Sequence, residues 1–175
     1  GKLLIALGRD EGIKPIAVIR RPEQTDALKE LGAAEVIVSS DSEAMAAVRP
    51  MMKALKPRVL LDAVGDQFTA DLFFAMPNNA RWVNYGKLST DAPALGQLAQ
   101  LIFQGKRIEG FWLTRWMKEV DPSRIPQAFM TIQDRFVTKK WVTDVSGIVP
   151  LSQAMDQLPQ VLSKPDGKAF IDPRQ

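Results

Sequence analysis

Arg20 and Arg21 stand together at the end of a short apolar run, Pro15-Ile-Ala-Val-Ile19, and Pro22 follows them. A planar guanidinium donates two hydrogen bonds at once to a phosphate, so a pair of them suits a phosphate dianion. In dinucleotide-binding folds the end of the second strand lies beside the adenine ribose. An acid there accepts from a 2′-hydroxyl, and a basic group accommodates a 2′-phosphate. A solvated basic pair at a strand end is the plainer alternative, and the residues alone leave both open.

Two glycines mark further places where backbone approaches a ligand. Gly65 ends Asp62-Ala-Val-Gly65, and Gly86 follows Val83-Asn-Tyr85. Glycines at the carboxyl ends of strands admit a close ligand, although a plain turn glycine has the same sequence. Gly1 stands before an apolar helix. It fits either the last glycine of a phosphate loop or a residue of no functional meaning. Phe111, Trp112 and Trp116 place three aromatics within six residues. They read as the wall of an apolar substrate pocket, or as core or subunit interface. Tyr85, the only tyrosine, reads as packing or as a donor to a ligand. Asp62 and Glu109 are single carboxylates near strands, Asp62 with a structural reading. Ser39-Ser40-Asp41 reads as a turn and helix cap.

The 175 residues include no Cys and no His. That excludes a disulfide, a thiolate nucleophile, an imidazole base and an ordinary zinc site. No acidic cluster suggests a carboxylate site for a hard cation. No catalytic residue and no metal ligand is therefore assigned. The net charge is +3, too weak and too dispersed for a nucleic-acid face. No apolar run approaches the ~18 residues that a membrane helix needs.

The elements that must position these residues alternate. Short β-rich runs at Pro15–Ile19, Glu35–Ser39, Arg58–Val64, Arg81–Tyr85 and Arg107–Leu113 start about 20 to 26 residues apart. Between them lie helical stripes. The first is Leu3, Leu4 and Leu7, the second Ala27, Leu28 and Leu31. Met45, Val48, Met51, Met52 and Leu55 make a third, and Phe68, Leu72, Phe73 and Met76 a fourth. Mostly continuous apolar runs suit strands buried on both faces, and helix-containing crossovers are what parallel strands need. The pattern predicts a doubly wound, Rossmann-type parallel α/β sheet. Beyond Trp116 the spacing predicts a helix over 122–137, with Asp121 as its cap and Pro122 at its first position. Next come a strand over Trp141–Val145, a loop to Pro150, a helix near 151–162 shortened or kinked by Pro159, and a last strand over Lys168–Ile171.

At this point the residues resemble a family, the zinc-independent branch of the medium-chain dehydrogenase/reductases. Its NADPH-dependent trans-2-enoyl thioester reductases and quinone reductase-like members are nearest. The most specific stretch is Leu101-Ile-Phe-Gln-Gly-Lys-Arg-Ile-Glu-Gly-Phe-Trp-Leu-Thr-Arg-Trp116. Ile19-Arg-Arg-Pro22, Leu31–Ile37, Ala63-Val-Gly65, Asn84-Tyr-Gly86, Val149–Met155 and Gly167-Lys168 match in order and spacing. The resemblance implies NADPH-dependent hydride transfer to an activated C=C bond of an enoyl thioester, enone or quinone. It implies that Arg20 and Arg21 bind the 2′-phosphate. Val64, Gly65, Tyr85, Gly86, Lys87 and Leu88 would line the cofactor. Phe111, Trp112, Leu113 and Thr114 would flank the nicotinamide half, with Lys168 returning from the tail. Lys87 departs from the family, which often has a second glycine there.

The resemblance also implies what lies outside this chain: a catalytic N-terminal domain with its proton-donating tyrosine, the first strand, and most of the glycine loop. Residues 1–145 are then expected to be an NADP(H)-binding domain lacking its first strand, and 146–175 a tail of the catalytic domain. The alternative is a nucleotide-binding fragment with no activity of its own. A methyltransferase or receiver-like domain needs an acidic anchor or pocket, and Arg20-Arg21 sit in the wrong place for either. The implied partners are an apolar small molecule and a second copy, paired through the strand near 107–113, with neither nucleic acid nor membrane. The implied location is the cytoplasm, or the mitochondrion in a eukaryote.

Overall fold

Each of the five short apolar runs up to residue 113 forms a parallel strand. The computed structural model describes residues 1–163 and 167–175. It divides into two units, Gly1–Pro122 and Ser123–Gln175.

In the first unit, α1 (Lys2–Asp10) leads to β1 (Ile16–Ile19), α2 (Thr25–Leu31) and β2 (Glu35–Val38). Then follow α3 (Ala44–Leu55), β3 (Val59–Asp62), α4 (Gln67–Ala75), β4 (Arg81–Asn84), α5 (Ala99–Phe103), β5 (Arg107–Gly110) and α6 (Leu113–Glu119). Alternating residues of β1 and β2 enter two different clusters. Ala17, Ile19 and Val36 pack with Ile5 and Leu28 on the α1–α2 side. Ile16 and Ile37 pack with Val48, Met52, Phe73 and Trp82 on the α3–α4 side. Period-two alternation sends successive side chains to opposite faces, so helices cover the sheet on both sides, as a doubly wound fold requires. Gly8 is part of that packing: a Cβ there would meet the Pro15 ring at 2.7 Å.

Hydrogen bonding divides the strands into two ladders, β1-β2 and β3-β4-β5. In the doubly wound order 3-2-1-4-5-6, β2 and β1 take the first two positions and β3, β4 and β5 the last three. The position between β1 and β3 holds no strand among the described residues. Val18, Val59 and Leu61 are 40–50% exposed.

Three expectations need correcting. The strand expected over Arg107–Leu113 stops at Gly110, where its partner β4 ends at Asn84, and Leu113 already opens α6. The helix expected from Pro122 starts at Arg124, with Ser123 as its cap; this is α7 (Arg124–Val137). A start at Pro122 would put Pro126 at the fifth position, where its missing N–H breaks a bond; the observed start puts it in the first turn, where that N–H has no partner anyway. The strand expected over Trp141–Val145 is instead β6 (Val145–Pro150). Its pairing with β7 (Lys168–Asp172) sets its extent, while Trp141 packs edge-on against Phe136, with ring centroids 6.1 Å apart. The last helix, α8 (Ala154–Leu162), carries Pro159 inside it and runs on to Leu162. A division at residue 122 concerns compactness.

Candidate functional site

Asp62 ends β3 and is buried, and four donor groups converge on its carboxylate. The Val64 amide donates to Oδ1 at 2.8 Å. The Gly65 amide reaches both oxygens, at 3.2 and 3.0 Å. From the next strand, Trp82 Nε1 donates at 3.0 Å and Asn84 Nδ2 at 3.1 Å. A buried carboxylate is tolerated only when its lone pairs are met, and here they are met without a cation.

Backbone bonds then join the turn after β3 to the turn after β4. Tyr85 N donates to Asp62 O (2.8 Å), Leu88 N to Ala63 O (3.1 Å) and Ser89 N to Val64 O (2.9 Å). Gly65 has φ +69, a left-handed conformation suited to glycine. At Gly86 a Cβ would lie 2.8 Å from Ala63 O and 3.1 Å from Ala63 Cα, so only glycine lets the turns touch. The start of the third strand-end segment is attached too, because Phe111 N donates to Asn84 O at 2.8 Å. Lys87 Nζ folds back onto Ser89 O and Asp91 O, at 2.7 and 2.6 Å. The lysine at the position of the family's second glycine thus braces its own loop. On the far side Gln67 of α4 holds that loop, its Oε1 accepting from Ala94 N at 2.8 Å.

The structure therefore brings Val64, Gly65, Tyr85, Gly86, Lys87, Leu88 and Phe111 together at the ends of β3, β4 and β5. Trp112, Leu113 and Thr114 follow in chain, all exposed, with Trp112 67% accessible. Burial, and then the negative charge of Asp62, push the Tyr85 phenol above its ordinary value. Arg20 and Arg21 belong to the other ladder. Both are exposed at the end of β1, and Ser40 Oγ pins the Arg20 carbonyl at 2.7 Å. Lys168 is the first residue of β7 in the second unit, and its amide donates to Asp144 O at 2.7 Å.

Two residues matter here beyond their reading in the sequence, Asp62, read there only as structural, and Lys106, given no role. Asp62 is a hub, and an Asp two residues before a Val-Gly turn was its only local signal. Lys106 is 3% exposed. Its ammonium donates to the last carbonyls of α4, Phe73 O at 3.1 Å and Phe74 O at 2.9 Å, and to Gln100 Oε1 at 2.6 Å. Burial pushes its pKa down to about 8.

Helices on both faces of a parallel sheet, with glycine turns and an arginine pair at strand ends, define a doubly wound α/β domain of the dinucleotide-binding type. The zinc-binding dehydrogenase family model matches residues 1–133, and the chain belongs to that family. A solved Mesorhizobium loti protein described as an NADPH:quinone reductase is 44% identical, with a TM-score of 0.91 over 98% of this chain and 49% of that one. The human mitochondrial enoyl-[acyl-carrier-protein] reductase is 27% identical, across 100% of this chain and 46% of its own length. Its Dictyostelium discoideum counterpart is 32% identical, across 81% of this chain and 41% of its own. The chain thus spans less than half the length of these curated relatives. The resemblance to medium-chain dehydrogenase/reductases holds. Whatever the family name says of zinc, this chain offers no imidazole or thiolate to bind it.

Proposed function

We propose that this chain is the cofactor-binding part of an NADPH-dependent oxidoreductase that reduces an activated C=C bond or a quinone. The observation that carries the reading is the pair of strand-end turns at 62–65 and 84–89, fused by backbone bonds and kept bare by glycine. The residues fit the group: bare turns let backbone face a flat ring, and two exposed guanidiniums suit a 2′-phosphate. Bound there, NADPH supplies the hydride. Arg20 and Arg21 hold the phosphate end. Val64, Gly65, Tyr85, Gly86, Lys87 and Leu88 orient the other end. Phe111, Trp112, Leu113 and Thr114 wall off water beside an apolar substrate. No residue here is assigned the acid–base role. The names of the relatives support an enoyl thioester or a quinone as acceptor.

A second copy is proposed as partner. β5 is the outer strand of its ladder, and Ile108, Phe111, Trp112 and Leu113 beside it are 38–67% exposed. Unpaired edges with apolar flanks recruit another strand. The relatives' names support a mitochondrial location in a eukaryote, and the cytoplasm is proposed otherwise. No helix among the described residues is long and apolar enough to cross a membrane.

The test is NADPH oxidation by the full-length protein, followed by absorbance, with an enoyl thioester, an enone and a quinone in turn. Turnover with at least one acceptor, faster with NADPH than with NADH, is expected. Binding of NADPH without turnover on any acceptor would favour a cofactor-binding domain with no chemistry. Failure to bind NADPH would overturn the proposal.

A further inference from the structure

We infer that Asp62 is a positioning residue for the nicotinamide end of the bound cofactor, setting the two glycine turns in the one arrangement that can receive it. The inference rests on the cofactor reading above. A carboxylate only accepts hydrogen bonds. It therefore draws the amides of Val64 and Gly65, the Trp82 indole and the Asn84 amide toward one point. Those donors come from the turn after β3 and from the neighbouring strand, so a single buried group fixes one against the other. The carbonyls of the same stretch are also committed: Asp62 O, Ala63 O and Val64 O accept from Tyr85, Leu88 and Ser89. Three carbonyls and two amides between Asp62 and Gly65 are thus committed within the protein, with Gly65 itself buried and Val64 half-buried. Among the described residues no acceptor takes the amide N–H of Gly86 or Lys87. These two donors are left for a ligand or water.

An Asn at position 62 has nearly the same size but turns one acceptor into a donor facing other donors. Packing survives, while the turn geometry does not. A site held within about 0.5 Å by supporting hydrogen bonds is sensitive to such a change. The phosphate end, on the other ladder, should not register it.

The experiment uses the full-length protein and two probes, NADPH and adenosine 2′,5′-bisphosphate, titrated by calorimetry against wild type and Asp62→Asn. The bisphosphate carries the phosphate end only. NADPH affinity is expected to fall at least about tenfold, the scale of one charge-assisted hydrogen bond, with the bisphosphate unchanged. Asn84→Ala, which removes one donor and leaves the carboxylate in place, should give the same selective loss at smaller size and covers the case in which Asp62→Asn does not fold. Unchanged NADPH affinity in both variants, or equal weakening of both probes, overturns the inference and leaves the cofactor reading standing. Wild type that binds neither probe overturns the cofactor reading, and this inference with it.

Discussion

The two ends of the proposed cofactor site are built by opposite means. At the ends of β3 and β4 a buried carboxylate, two glycines and three backbone bonds lock two turns into one piece. At the end of β1 two exposed arginines follow a four-residue strand, with the Ser40 hydroxyl on the Arg20 carbonyl and the Gln24 amide on the Arg21 carbonyl. A planar ring needs shape, which comes from rigid backbone. A phosphate needs charge, which flexible guanidiniums deliver. On the proposed reading, binding a nicotinamide is a property of the fold, and choosing NADPH over NADH is a property of two side chains.

That contrast can be broken from either side. The largest effect is expected from Gly86→Ala, which pushes a Cβ into the Ala63 backbone. Overpacking of this kind costs about 1–3 kcal/mol, so the denaturant midpoint should fall and NADPH binding should weaken. A midpoint equal to wild type would mean that the turns separate at no cost. Removing both arginines, Arg20→Ala with Arg21→Ala, should leave the midpoint alone. It should abolish the preference for NADPH over NADH, worth about tenfold or more for charge-assisted contacts. Calorimetric titration with both cofactors reads the ratio, and a retained ratio would remove the arginines from the site.

Lys106 sharpens the comparison from the other edge of the rigid ladder. Lys106→Met strands the α4 carbonyls and should cost about 1–2 kcal/mol. The pH dependence has a definite sign. The folded amine titrates near 8, against 10.5 for an ordinary lysine. Between those values the unfolded chain holds the extra proton, so this group makes wild-type stability rise with pH across that window. Urea titrations from pH 8 to 10 should show the rise in wild type and lose it in Lys106→Met; identical slopes would contradict it. The smallest effect belongs to Glu109→Gln. The Arg81–Glu109 pair, at 2.7 Å, lies on the solvated face of the ladder. Exposed pairs contribute little, so thermal unfolding should be nearly unchanged.

The repeat of strands and helices could be read from the sequence because it is local: apolar periodicity and turn residues decide it within each segment. So could the positions of Gly65, Gly86 and the arginine pair, each marked by a strand end. What could not be read depends on partners far along the chain. Asp62 acquires its role from Trp82 and Asn84, 20 and 22 residues on. Lys106 sits in a basic Lys-Arg pair that looks solvated until α4 ends against it. The limits of β6 come from β7, whereas the apolar run around Trp141 fills a helix contact instead.

The most direct measurement is a crystal structure of the full-length protein with NADP. The 2′-phosphate is expected within hydrogen-bond distance of Arg20 or Arg21, and the nicotinamide against Val64–Gly65 and Tyr85–Leu88. A cofactor whose phosphate lies away from both arginines, or whose ring rests elsewhere, would contradict the cofactor reading.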